Sequence, residues 1–170
     1  MGAPPAWEEE RPEPIVMDIR SAAVTLGVQT SREDNRTERP VIELRKLLAE
    51  YCRGPYSSEI DEFALILRVG GEMQEFDFEG CERIRRNRKD RYITLDLGLP
   101  SYRWQSATDG EIRKYILEAV ETGLLCFIRR LEKDKTPIDS ARLMSDFAKV
   151  RETFDFTRKK SRSTHHNFPG

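Results

Sequence analysis

An α+β fold, an antiparallel β-meander of four to five strands packed on two to three α-helices, is what this sequence predicts, and three observations carry it. Phe63, Leu65, Leu67 and Val69, and again Ile93, Leu95 and Leu97, recur at every second position, the period of a strand with one buried face. Ile112, Tyr115, Ile116, Ala119, Val120, Gly123, Leu124, Phe127 and Leu131 recur at three- and four-residue steps, which lays one apolar stripe along a long helix. Turn residues at Gly70-Gly71 and from Asn87 to Asp90 separate the strand-like runs closely enough for hairpin links.

Residues 1–14 are rich in Pro and Glu and predict a flexible lead-in, ahead of a single domain over 15–156 and a basic, disordered tail over 157–170. Ile15 to Leu26 reads as a first strand, with Ile15, Met17 and Ile19 alternating against Val16, Asp18 and Arg20, and Gln29 to Arg39 as a surface loop. A helix follows: Pro40 suits the first turn, Ile42 or Val41 with Leu44, Leu47, Leu48, Tyr51 and Cys52 mark one face, and Gly54-Pro55 ends it. The strand from Phe63 to Val69 also carries Ala64 and Ile66 on its second face, so a central place in the sheet is expected. Glu72 to Phe78 and Glu82 to Arg86 read as further strands, and Tyr92 to Leu97 as the last, stopped by Gly98 and Pro100. Thr108 with Glu111 forms a capping box at the head of the long helix. Asp139 or Ser140 caps a final helix carrying Leu143, Met144, Phe147, Val150 and Phe154.

The 170 residues suit one domain with a workable core. With 29 basic against 30 acidic side chains, no overall field draws the chain to nucleic acid or a charged membrane; partners are met by local patches. No apolar run approaches the roughly 18 residues of a membrane span, and MGAPPAWEEE lacks the basic and apolar regions of an export signal, which predicts a cytoplasmic protein with no membrane partner. Cys52, Cys81 and Cys126 are widely spaced and odd in number, with no His at a ligand interval; they read as buried thiols in a reducing compartment.

Catalytic patterns are weak. His165 and His166, the only histidines, lie in the expected tail, away from any nucleophile. Gly70-Gly71 lacks the further glycines and the Lys of a phosphate loop. Asp61, Glu62, Asp77, Glu79, Asp96 and Asp109 are scattered as on the solvated face of a sheet, so no enzyme, metal or cofactor is expected. Two stretches have the makeup of a binding surface instead. Arg83, Arg85, Arg86 and Arg88 concentrate positive charge in RIRRNRKDR, which fits a protein patch and, as the alternative function, nucleic-acid association through Arg83 to Arg91. Aromatics interleave poorly there, which disfavours nucleic acid. Tyr102, Arg103 and Trp104 bring the residue types of interface hot spots into the loop after the last strand.

The succession EIDEFALILRVGG, FDFEGCERIRRNRKDRYITLDLGLP, a Trp, and a capped long helix ending in RRLEKDK resembles the immunity proteins of bacterial polymorphic toxin systems, in particular the group called immunity protein 39. The likeness runs from about Pro40 to Phe154 and rests on features such as Phe78-Glu79-Gly80, Asp96-Leu97-Gly98-Leu99-Pro100 and Trp104. It implies a small cytoplasmic protein without catalysis, whose partner is a cognate toxin domain that it neutralises by occluding the active site or the path of the substrate.

Overall fold

The computed structural model describes residues 23–30, 36–69, 84–99 and 106–166, with the side chains of 28–30, 69, 99 and 157–166 left aside. Four strands, β1 (Val24–Thr30), β2 (Glu62–Val69), β3 (Ile84–Asn87) and β4 (Tyr92–Leu99), form one sheet in the order β1-β2-β4-β3. Three helices, α1 (Glu38–Tyr51), α2 (Asp109–Lys133) and α3 (Ser140–His166), complete the α+β fold.

The sheet is mixed, which corrects the expected antiparallel meander: β1 pairs parallel with β2, β2 parallel with β4, and only β3 runs antiparallel to β4. The cause is connectivity. Strand β1, helix α1 and strand β2 make a crossover unit, and a helix between neighbouring strands returns the chain in the same direction. Strand β4 then inserts between β2 and β3, so the β3–β4 hairpin joins the sheet through its second strand. Strand β2 is central as expected. Gln29 and Thr30, read as loop, extend β1 because Arg68 and Val69 of β2 supply their partners. The strand expected at 72–78, Gly70-Gly71, and residues 15–22 lie outside the described residues.

Period-two alternation divides the sheet into two faces. Val24, Leu26, Phe63, Leu65, Leu67, Ile84, Ile93, Leu95 and Leu97 are buried on the inner one. Helices α1 and α2 cover it, and α3 packs on them through Leu143, Phe147, Val150 and Phe154, all buried. Phe127 of α2 meets Phe63 edge-on with ring centroids 5.5 Å apart, and Tyr56 meets the other side of Phe63 at 6.5 Å. Gly123 lets α2 approach closely: a Cβ there would overlap the Leu65 Cδ2 methyl and come within 3.2 Å of Leu97 Cδ1. Gly54, at φ +62°, permits the turn after α1 to pass against the residue that precedes β1, where a Cβ would lie 2.6 Å from that of Ala23.

The helix ends follow from their residues. Glu111 N–H donates to Thr108 Oγ1 at 3.2 Å, and Thr108 N–H donates to Glu111 Oε1 at 3.2 Å, the capping box the sequence predicts. The C-terminus closes with Thr136 N–H on Leu131 O at 2.8 Å and Lys135 N–H on Glu132 O at 3.0 Å, around Lys135 in the left-handed conformation. Asp139 caps α3, accepting from Arg142 N–H at 3.2 Å. Pro40 sits third in α1, still in the first turn, where no N–H is needed. Val41 is buried in place of Ile42, which is exposed. Helix α3 continues to His166, so the backbone of 157–166 is helical over a stretch whose lack of apolar pattern suggests a tail.

Arginines tie the layers together. Arg113 of α2 pairs with Glu43 of α1, donates to Phe154 O of α3 at 3.1 Å and stacks 3.9 Å from the Phe154 ring. Arg45, buried on α1, donates through Nε to the Leu26 carbonyl of edge strand β1. Near the start of α3, the Tyr56 hydroxyl donates to Asp146 Oδ2 at 2.7 Å beneath the Arg142 guanidinium. Cys52 and Cys126 are buried, and Cys81 lies outside the described residues. Desolvation pushes the Cys52 thiol up to about 12, so little nucleophilic thiolate forms near neutral pH. Iodoacetamide at pH 8 is therefore expected to leave Cys52 unmodified in the folded protein and to label it after denaturation, as peptide mass spectrometry would read; rapid native labelling would contradict this burial.

Candidate protein-binding surface

Strand β3 explains why the arginines of RIRRNRKDR are not equivalent. Its register pairs Ile84 with Leu95 and Arg86 with Ile93, two inner-face residues, whereas Arg85 opposes Thr94 and Asn87 opposes Tyr92 on the outer face. Arg86 therefore points in among the helices. Its side chain is 5% exposed, and Nη1 donates to Asp134 Oδ2 at 3.2 Å and to Thr136 Oγ1 at 2.7 Å, with Glu59 at 3.9 Å. This revises its reading as a surface contact: Arg86 is a positioning residue that docks the α2–α3 turn against the hairpin. Arg91 is likewise occupied. It holds Asp61 at 2.9 and 3.2 Å and donates to Ser58 O at 2.6 Å, contacts that support its left-handed backbone at φ 59°.

Arg85 and Arg88 remain exposed, as does Lys89, on a hairpin turn braced by Asp90 N–H donating to Asn87 Oδ1 at 2.9 Å. Because Arg86 grips Asp134 and Thr136, the exposed Lys133 and Lys135 are brought to the same edge of the sheet. Among the described residues these five cations form no ion pair. They make a basic rim around β3, the edge strand among the described residues. Sequence reasoning missed Lys133 and Lys135, since 44 or more positions separate them from Lys89; the available signal was the Ile84, Arg86 alternation, which marks Arg86 as inward. Arg83, Tyr102, Arg103 and Trp104 lie outside the described residues.

The outer face of the sheet adjoins this rim through Arg85 and Thr94. Rows of half-buried side chains cross it, with Thr25, Ala64 and Thr94 in one and Ile66 and Asp96 in the next. The acids singled out by sequence are dispersed. Thr25 donates to Glu62 at 2.8 Å, Arg68 approaches Asp96 at 3.4 Å, Asp61 belongs to Arg91, and Asp109 begins α2. Asp77 and Glu79 are outside the described residues. Among the described residues no group of three or more His, Cys, Asp or Glu is arranged to hold a metal, and no helix is long and apolar enough to cross a membrane.

The family model described as immunity protein 44 matches residues 18–153. The chain belongs to the immunity protein 44 family. This corrects the resemblance to immunity protein 39: the class of bacterial immunity proteins stands and the group differs, because the motifs behind the likeness are core and turn features that many folds require. The span shared with immunity protein 44 contains all four strands, α1, α2, the β3–β4 hairpin and the α2–α3 turn, and so the entire basic rim. Comparisons with curated proteins and with solved structures give no match.

Proposed function

We propose that this chain neutralises a cognate bacterial toxin domain in the cytoplasm by binding it and occluding its active site or the path of its substrate, without catalysis of its own. The family match over 18–153 is the observation that carries this reading. Physical form supports it: a fold with one apolar core and, at one edge of its sheet, five exposed cations without an ion pair among the described residues is suited to holding another macromolecule. Inhibition by occlusion asks for an interface of about 800 Å² per partner, with a few aromatic or Arg anchors. Tyr102, Arg103 and Trp104 are proposed as anchors on their residue types, beside Arg85 and Arg88. Nucleic-acid association through Arg83 to Arg91 is less favoured, since Arg86 and Arg91 spend their charge on Asp134 and Asp61.

The test is growth. Cells expressing the toxin domain encoded beside this chain's gene are expected to die without the chain and to grow with it, and the two proteins to co-purify. Continued death despite soluble chain, with no complex formed, would refute the reading.

A further inference from the structure

Resting on the proposal that the chain binds a toxin domain, we infer that the toxin presents an acidic face, which is steered onto the basic rim formed by Arg85, Arg88, Lys89, Lys133 and Lys135 around edge strand β3. Three features of the rim bear on this. Its cations are exposed and form no ion pair among the described residues; Arg39, Lys46, Arg53 and Arg129 share that property elsewhere, but the hairpin and the α2–α3 turn bring five such cations to one edge of the sheet, while Arg68, Arg86, Arg91 and Arg113 are paired. Unpaired charge is what acts at long range; a cation already beside a carboxylate projects little field. The rim is also built rather than accidental. The hairpin is fixed by the Asn87–Asp90 turn and the Arg91–Asp61 pair, and the α2–α3 turn by its backbone closure and by Arg86 on Asp134 and Thr136. Cations carried on a fixed backbone lose less backbone freedom on docking than cations on a loose tail.

The third feature concerns the kind of partner. Exposed carboxylates stand among the cations too: Asp90 and Glu132, next in sequence to Lys89 and Lys133, and Glu59, 3.9 Å from Arg86. A nucleic-acid backbone, negative at every step, is repelled by such insertions. A protein surface, which mixes both signs, can match them with its own cations. The occupant that fits is therefore an acidic protein face, and strand β3, short and charged, is a poor template for strand addition, so side chains and not backbone would carry the recognition.

The experiment uses the full chain and a catalytically inactivated form of the toxin domain, with association followed by stopped flow or surface plasmon resonance at two salt concentrations. The triple variant Arg88→Glu, Lys89→Glu, Lys133→Glu is expected to associate about 10-fold or more slowly at low salt, with a dissociation rate little changed. Salt should slow the wild type and not the variant. The neutral set Arg88→Gln, Lys89→Gln, Lys133→Gln should fall between the two, and serves if charge reversal perturbs folding. A triple variant that associates as fast as wild type, with the same salt response, would overturn the rim while leaving toxin neutralisation intact. Tight binding of a 20-nucleotide single strand lost with the same substitutions would overturn it in favour of nucleic acid. Failure of the wild type to bind the toxin at all would remove the functional proposal and this inference together.

Discussion

Replacing Phe127 with Ala is expected to destabilise the protein by about 3–5 kcal/mol, the cost of removing a large aromatic side chain from a closed site. Phe127 is fully buried, lies on the sheet-facing side of α2, and meets Phe63 edge-on at 5.5 Å. Its loss forfeits transfer free energy and aromatic contact, and leaves a cavity. The cavity cannot collapse easily, because Gly123 already holds α2 against Leu65 and Leu97 one turn earlier. Since small domains are stable by only about 5–15 kcal/mol, this one change removes a large share of the total. Urea unfolding followed by circular dichroism measures it; a stability loss under about 1 kcal/mol would place Phe127 outside the core.

The second large effect is expected at Arg86. Arg86→Ala removes hydrogen bonds to Asp134 and Thr136 and leaves a carboxylate only 20% exposed with Arg130 as its remaining partner. The loss should be about 2–3 kcal/mol, in the range for breaking charge-assisted bonds where water enters poorly. It should also depend on pH. Desolvation raises the Asp134 carboxyl, but its bonds to Arg130 and Arg86 outweigh this and hold it below the ordinary value of 3.8. A carboxyl lowered by folding contributes stability that is fully present above its unfolded value and is lost as pH falls through its folded one. The gap between wild type and Arg86→Ala should therefore be widest near neutrality and narrow below about pH 4. Urea midpoints at pH 7 and pH 3 test this; an equal gap at both would show that Arg86 acts through packing and its Thr136 bond and not through the Asp134 carboxylate.

Arg86 also illustrates what the sequence makes legible. Alternation identified which residues of β2 and β4 face inward, and helical spacing with a capping box located α2 within a residue, because both are local properties of the chain. Strand neighbours and directions were not legible in the same way: a period of two gives a face and no partner. The crossover signal was nonetheless present in a strand, a helix and a second strand before Val69, and it outweighed the hairpin residues on which the meander was based. The rim shows the same limit. Arg85 and Arg88 could be picked out by charge, but their separation from Arg86 in role comes from register, and the recruitment of Lys133 and Lys135 comes from tertiary contact.

Hydrogen exchange of the chain alone and bound to its toxin domain tests the central claim most directly. Slowed exchange is expected at the amides of the β3–β4 hairpin over 84–92 and of the α2–α3 turn over 131–136. Protection confined to α1 and α3, with the hairpin and turn unchanged, would contradict it.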